Sequence, residues 1–422
     1  MLMQSVQVPQ LAWYGNTMLN LYFPSEWRVR YCPMKGHARR RIDSDGIKQA
    51  FRDPIGSRTI GQLARQRREA VIIFDDTSRP TRSAEIVPHI IEELNANGIS
   101  NDHIRFVCAL GAHGAFSRID FVKKLGEDIV EEFPVYNHNA FSNLTDLGKT
   151  MMGTPVKINS EVMACDLKIG LGSVVPHPGS GFGGGAKILL PGVASIESMA
   201  HNHGKVGGIS MSTFFGVDTT NKKPSIGWGK VEGNPMRMDQ EEAARMASLD
   251  IKVDTVINGY GETTDVFVGG FVDEHRAAAK VARNIYGTET VGNADIVVSN
   301  AYAKASDATL ATQSTVINIK ENGTLVLVVN APEGQVTHYL VGKFGKKSGG
   351  PLYAPYLPRY SRMIIFSQYK VKDPLTPIGE QDSVIWTSEW SEVIELLKAA
   401  HPGNPTVAVY PYAEIQVDER LL

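Results

Sequence analysis

The residues best suited to chemistry crowd one stretch, Gly181–Gly204, which reads GFGGGAKILLPGVASIESMAHNHG. Lys187 stands beside small residues and just before the apolar run ILLPG. An amine in such surroundings is partly desolvated, which lowers its pKa and makes it a usable nucleophile. The segment ASIESMAHNHG that follows reads as a helix with Ser195 as its N-cap, and it closes on His201 and His203. Residues two apart face different ways on a helix, so one metal ion would take only one of the two imidazoles. A single imidazole is a poor metal site, and the remaining donors would have to come from elsewhere, such as a cofactor. Upstream, DDTSRPTR at 75–82 supplies Asp76 and Arg79, GAHG supplies His113, and VVPHPG supplies His177.

The glycine run has two readings. GSGFGG at 179–184 matches G-x-G-x-x-G by letter, but His177 and Pro178 separate it from its strand and no ribose-binding acid stands out beyond it. Ala186 and Ile188 flank Lys187 where a Walker loop needs Gly and Ser or Thr. What remains is a turn whose amides can approach an anion closely, or a turn that packs against a helix.

These residues need elements to position them. VIIFDD at 71–76, IRFVCALG at 104–111 and DLKIGLG at 166–172 read as buried strands; SAEIVPHIIEELNANG and FVKKLGEDIVEEF read as helices, with EDIVEE a solvated face. IKVDTVIN and DVFVGGFV are further strands, and EHRAAAKVARNIYG at 274–287 reads as a helix crossing between domains. A second series follows, with strands ADIVVSN, GTLVLVVNAP, RMIIFSQY and PTVAVYPY and helices near 308–320, at VTHYLVGKF and at SEVIELLKAAH. The first forty residues read as short strands and turns. Apolar strands alternating with helices imply an α/β fold of two domains, each a mainly parallel sheet flanked by helices. The expected division is 1–290 and 291–422, with the last residues packing back on the first domain. Ligands of such sheets bind at the carboxyl ends of strands, which puts Asp76, Arg79, His113, His177 and Lys187 in one cleft between the domains.

Composition excludes several classes. With 42% hydrophobic and 21% charged residues and a formal net charge of -2, the chain is an ordinary globular one without the basic patch of a nucleic-acid binder. Its first residues lack the basic start and apolar core of a secretory signal, and no run reaches the roughly 18 apolar residues of a membrane helix. Cys32, Cys108 and Cys165 form neither a zinc pattern nor a disulfide framework, which fits a cytoplasmic protein, with Cys108 in the core. His103, His275 and His401 read as solvated; His138 lines the cleft or is merely a polar strand end.

DDTSRPTR, GAHG, PHPGSGFGGGAKILLPGV and the NHG close together resemble the nickel-dependent lactate racemase family. The resemblance is dense from about residue 70 to 205, and its most specific part is a lysine, then Pro-Gly, then a histidine sixteen residues after the lysine. It implies nickel and a pyridinium-3,5-bisthiocarboxylic acid mononucleotide, the nickel-pincer nucleotide, covalently attached to Lys187, with His203 as the protein's nickel ligand. It implies that His113 and His177 are paired acid/base catalysts, and that Asp76, Thr77, Ser78, Arg79 and Pro191 contact the cofactor, with Arg79 also suited to a substrate carboxylate. The implied reaction is racemisation or epimerisation of a 2-hydroxy acid by hydride abstraction from C2. Cofactor-biosynthesis enzymes would be needed for maturation, and a homo-oligomer is compatible with the sequence. In the second domain Gln313 stands at the family's substrate-side glutamine, but Val316 occupies the place of its lysine. Tyr353 and Tyr356 lie where a substrate-side tryptophan is expected. Either Lys304 reaches in from the altered loop NAYAKASDA or the substrate differs, a larger or less polar acid than lactate. Two other readings are a non-catalytic paralogue that binds an anion or the cofactor, and an NAD(P)-dependent 2-hydroxy-acid oxidoreductase.

Overall fold

The computed structural model describes residues 2–208, 225–340, 360–369 and 384–422. Two six-stranded sheets dominate it. The first runs in the order Thr263–Gly269, Ile251–Ile257, Leu167–Ser173, Ala70–Asp75, Ile104–Ala109, Val135–Asn137, and every pair is parallel except the edge strand Thr263–Gly269. Burial on both faces explains the unbroken apolar runs. Ala70, Ile72 and Phe74 enter one core while Val71 and Ile73 enter another, the period-two alternation of a strand covered on both sides.

The second sheet runs Val384–Thr387, Tyr360–Phe366, Ile319–Val329, Ala294–Ala301, Thr406–Tyr410, Arg28–Tyr31, and all its pairs are parallel. Its last strand comes from the start of the chain. The hairpin Met3–Gln10 with Thr17–Pro24 also packs there: Val8, Leu21, Phe23 and Trp27 share a core with Ile296, Val298, Val326 and Val409. By packing, the strands Met3–Gln10, Thr17–Pro24 and Arg28–Tyr31 therefore go with the second sheet, although the division at residue 290 placed them in the first domain. At the other end, Val417–Asp418 pairs with Gly287–Thr288. The helix Asp273–Tyr286 lies in the seam, where Ala278, Ala282 and Tyr286 meet Val256 and Ile257 on one side and Tyr302 and Tyr412 on the other.

Two helices predicted in the second series are not found among the described residues. The stretch near 308–320 forms two short 3-10 segments, Ala305–Thr312 and Val316–Asn318, the first broken at Asp307 (φ -125°, ψ 49°). Its hydroxyl side chains bond back to the chain or across to the C-terminal segment, as Thr315 does to the Ala311 carbonyl (3.1 Å) and Ser314 to that of Gln416 (2.8 Å), in competition with helical pairing. Of VTHYLVGKF, the described residues Val336–Leu340 are not helical but form a strap between the two sheets. The helix Pro235–Met246 was not foreseen because its apolar residues are sparse; its signature is Asn234 as N-cap followed by proline. No helix among the described residues is long and apolar enough to cross a membrane.

Candidate functional site

The carboxyl ends of both sheets open on a shared cavity of about 460 Å³. Its first wall is built by the loops after Ala70–Asp75, Ile104–Ala109 and Leu167–Ser173, which bring Asp76, Arg79, His113, His177 and Lys187 together. Its second wall comes from the loops after Ala294–Ala301 and Ile319–Val329, with Lys304, Asp307 and His338.

The turn after Ala70–Asp75 is held from beneath. Asp75 accepts from the wholly buried Lys124 (2.6 Å) and from Thr81 (2.5 Å), while the Trp13 indole donates to the Thr77 carbonyl (2.8 Å). Asp76 accepts from the Ser78 amide (2.9 Å) and from His113 Nδ1 (2.5 Å). Burial alone would raise the Asp76 pKa, but the His113 and Arg79 charges, with hydrogen bonds from His113 and Ser78, hold it well below the usual carboxylate range. An ionised carboxylate can only accept, so His113 carries its proton on Nδ1 and turns an unprotonated Nε2 outward when neutral. Arg79 reaches the cavity within 3.6 Å of Asp307 from the second wall.

The glycine loop is wired differently from an anion cradle. The amides of Gly179 and Ser180 donate to His177 Nδ1 (3.1 and 3.0 Å), that of Gly183 to the Val175 carbonyl (2.7 Å), and that of Gly185 to the Asp254 carboxylate (2.6 Å). These amides are consumed internally. Glycine is needed for closeness instead: Gly184 sits at φ +73°, and a Cβ there would lie 2.6 Å from Asp254 Oδ2. The loop's carbonyls rest on Arg237, wholly buried, whose guanidinium donates to Ser180 (3.1 Å) and Phe182. His275, expected in solvent, is fully buried, and its Nε2–H donates to the Gly183 carbonyl (2.8 Å).

Lys187 extends from this platform with Nζ 3.2 Å from Ser180 Oγ and 3.4 Å from His177 Nε2. Burial, then the nearby charges of Arg237, Arg79 and Lys304, push its pKa well down, which favours the uncharged, nucleophilic form of the amine. Because His177 Nδ1 accepts two amide hydrogens, its own proton sits on Nε2. His113 and His177 are thus not equivalent: one shows the cavity a lone pair and the other an N–H.

His203 lies in a π-helical turn, His201–Val206, that continues the Ser195-capped helix Ile196–Ala200. Its Nδ1–H donates to the Met199 carbonyl (3.0 Å), leaving Nε2 unprotonated. Burial, and then Lys187, push its pKa down to about 3, so the ring is neutral and able to ligate. His201 turns away to Thr154 Oγ1 (2.8 Å). The turn is anchored by Asn202, which donates to Asp239 (2.7 Å) and accepts from Gln240 (3.1 Å). Arg237, Asp239 and Gln240 all belong to the unforeseen helix Pro235–Met246, so one helix supports both Lys187 and His203. Among the described residues no group of three or more His, Cys, Asp or Glu side chains forms a metal cage.

On the second wall, Lys304 is 2% exposed and lines the cavity; burial first, then Arg79, lowers its pKa to about 7 against the opposing pull of Asp307 and Glu414. The strap that follows Ile319–Val329 is tied to both walls. The Val336 amide donates to the Ser306 carbonyl (2.8 Å), the Gly114 amide to Thr337 (3.0 Å), and the Tyr339 amide to Ala112 (2.7 Å). This brings the His338 ring edge-on to that of His113, with centroids 5.3 Å apart.

The sequence comparisons bear on this site directly. Residues 14–212 match the lactate racemase N-terminal domain, a span that covers the whole first wall. The lactate racemase of Thermoanaerobacterium thermosaccharolyticum is 27% identical over 303 residues, 71% of this chain and 66% of that protein. The lactate racemase of Lactiplantibacillus plantarum is 27% identical over 304 residues, 69% of this chain and 67% of that protein. Over residues 14–212 the chain is thus similar to the lactate racemase family. Its alignment spans about two thirds of the length of these curated relatives. The fold agrees over nearly the full length: the T. thermosaccharolyticum lactate racemase apoprotein superposes at a TM-score of 0.71 and 20% identity, covering 98% of this chain and 99% of that one. A Thermotoga maritima protein superposes at 0.62 and 15% identity, covering 90% and 98%.

Of the residues the family resemblance singled out, Asp76, Arg79, His113, His177, Lys187, Pro191 and His203 line the cavity, while Thr77, Ser78 and Gln313 do not. Ser78 turns its hydroxyl to Asp76 (2.5 Å), and Thr77 is buried behind the turn. Gln313 is buried, with both amide atoms unpartnered among the described residues. Tyr353 and Tyr356 lie outside the described residues. His138 is structural: it donates to the Ala194 carbonyl (2.8 Å) away from the cavity. Sequence reasoning missed His338 because a helix was predicted over it; the strand-end rule, applied after GTLVLVVNAP, would have pointed to it.

Proposed function

We propose that this protein is an isomerase that racemises or epimerises a 2-hydroxy acid with the aid of a nickel-pincer nucleotide joined to Lys187. The observation that carries the reading is the meeting, in one cavity, of a buried lysine amine whose pKa is pushed well down, a histidine with a bare Nε2 at residue 203, and the His113–Asp76 pair. The residues fit the group. Lys187 is the nucleophilic amine an amide tether requires, His203 offers one neutral imidazole donor, and Asp76, Arg79 and Pro191 line the space between walls.

When bound, the group would supply reversible acceptance of hydride from C2, the difficult half of the reaction. The rest falls to the protein. Arg79 is suited to hold the substrate carboxylate by a two-pronged bond. His113 Nε2 takes the 2-hydroxyl proton as the C2–O bond becomes a carbonyl, and Asp76 stabilises the imidazolium that results. His177 contacts substrate oxygen from the Lys187 side. Val316 leaves the family's lysine position apolar, and Lys304 supplies a cation from the altered loop instead. That change favours a 2-hydroxy acid other than lactate.

The test uses protein expressed with the cofactor-biosynthesis enzymes and a panel of single-enantiomer 2-hydroxy acids deuterated at C2. Racemisation with the label retained is expected of hydride transfer. Wash-out of label to solvent would mean proton abstraction at carbon, and no inversion of any acid by nickel-loaded protein would reject the activity.

A further inference from the structure

The altered loop NAYAKASDA leads into the 3-10 segment Ala305–Thr312. Such a helix has about three residues per turn, so side chains at that spacing stack into stripes. Ala305, Ala308 and Ala311 form one stripe, small enough to lie on the core of the second sheet. The same register leaves Ser306 with Thr309, and Asp307 with Leu310, to line the cavity, beside Lys304 at the segment's start. Lys304 and Ser306 are 2% exposed and Thr309 6%. The side chains of Lys304, Ser306, Asp307 and Thr309 have no hydrogen-bond partner among the described residues; Asp307 meets only Arg79, at 3.6 Å, too long for a hydrogen bond.

We propose that this wall is built for a substrate with further hydroxyl groups, a 2-hydroxy acid that also carries oxygen at C3 and beyond, whose inversion at C2 is an epimerisation. Buried polar groups without a protein partner must find one on the ligand, because facing them with hydrocarbon costs free energy. An alkyl tail would leave an ammonium, a carboxylate and two hydroxyls against carbon. A second carboxylate on the tail would suit Lys304 but would meet Asp307 as a like charge. Hydroxyls satisfy all four side chains, since each accepts from Lys304 and donates to Asp307 without a charge of its own, and pairs with Ser306 or Thr309 in either sense. Arg79 ties the row to the reacting end. It is the residue suited to the substrate carboxylate, and it lies against Asp307, so the polar groups begin beside that carboxylate and continue along the 3-10 segment. The tail is then longer than the methyl of lactate, and more polar rather than less.

The inference rests on the proposed reaction at C2 but concerns only the substrate's tail, so the two can fail separately. Cofactor-loaded protein is offered length-matched pairs, glycerate against lactate and threonate against 2-hydroxybutanoate, with malate as the diacid. The hydroxylated member of each pair should be favoured by about a hundredfold or more in kcat/KM, since a site built to bond a hydroxyl strongly rejects an analogue lacking it. Threonate should give erythronate, its C2 epimer. Equal or faster turnover of lactate and 2-hydroxybutanoate, or malate as the best substrate, would overturn the proposal. Ser306→Ala and Thr309→Val, close in shape to the native residues, should each lower kcat/KM for threonate about tenfold and shrink its lead over 2-hydroxybutanoate. A lead untouched by both changes would remove the segment from the substrate site. Calorimetric titration decides the matter without turnover: the same protein should bind threonate at least about tenfold more tightly than 2-hydroxybutanoate. Equal binding, or binding of neither, would reject the inference. Protein that prefers threonate yet inverts no acid would refute the proposed reaction and leave the preference for a hydroxylated tail standing.

Discussion

At the scale of single residues, the cavity works by controlling where protons sit. Burial and three nearby cations push the Lys187 pKa well down, and burial first holds His203 neutral. The Lys187→Ala variant should carry no covalent adduct by intact-mass analysis when co-expressed with the biosynthetic enzymes; an adduct of unchanged mass would disprove the attachment point. His203→Ala should keep the organic adduct and lose nickel, read by metal analysis. Lys304 makes a prediction in pH. Its folded pKa of about 7 lies below the ordinary lysine value, so its charge is present below about 7 and lost above it. KM for the hydroxy acid should therefore rise as pH passes upward through this value, and Lys304→Arg, which stays charged, should flatten the profile. The same shift means that the unfolded chain binds more protons between about pH 7 and about 10.4, so Lys304 should make stability rise with pH in that window.

At the scale of elements, one helix carries more of the site than its sequence suggests. Pro235–Met246 places Arg237 under the carbonyls of the glycine loop and Asp239 under the turn that holds His203. Arg237→Met removes a buried charge but strands at least two carbonyls, and each unmade hydrogen bond costs roughly 1–3 kcal/mol. A loss of about 2–4 kcal/mol on chemical denaturation is expected, together with slower adduct formation at Lys187. Unchanged stability would mean that the loop holds itself. This helix escaped prediction because its buried face is largely polar: Arg237, Asp239, Gln240 and Glu241 are all buried. Periodicity of apolar residues cannot reveal a helix whose interior partners are charges and amides.

At the scale of the whole molecule, the chain crosses between its two sheets repeatedly. The N-terminal hairpin completes the core of the second sheet, the strap returns from it to the first, and Val417–Asp418 pairs beside the seam helix. Phe23 is fully buried, with Trp390 edge-on at 5.5 Å. Phe23→Ala should cost about 3–5 kcal/mol, as large-to-small core changes do. Hydrogen exchange should show the loss of protection in Ala294–Ala301 and Thr406–Tyr410 before Ala70–Asp75, although Ala70–Asp75 is hundreds of residues nearer the change along the chain. Loss of protection confined to the N-terminal hairpin would show that the second sheet stands without it.

The sequence alone determined the parallel α/β architecture, because strands buried on both faces must be apolar throughout, and it placed the chemistry at strand ends, because such sheets leave only that edge open. It also marked Asp76, Arg79, His113, His177, Lys187 and His203 through motifs whose spacing is local. Tertiary structure decided what local spacing does not encode. The tautomer of each histidine depends on amides and carbonyls brought to it by folding; Arg237, Asp239 and His338 reach the site or its supports from distant segments; and the N-terminal hairpin strands with Arg28–Tyr31 were claimed by the second sheet, since strand pairing is a contact made across the whole length of the chain.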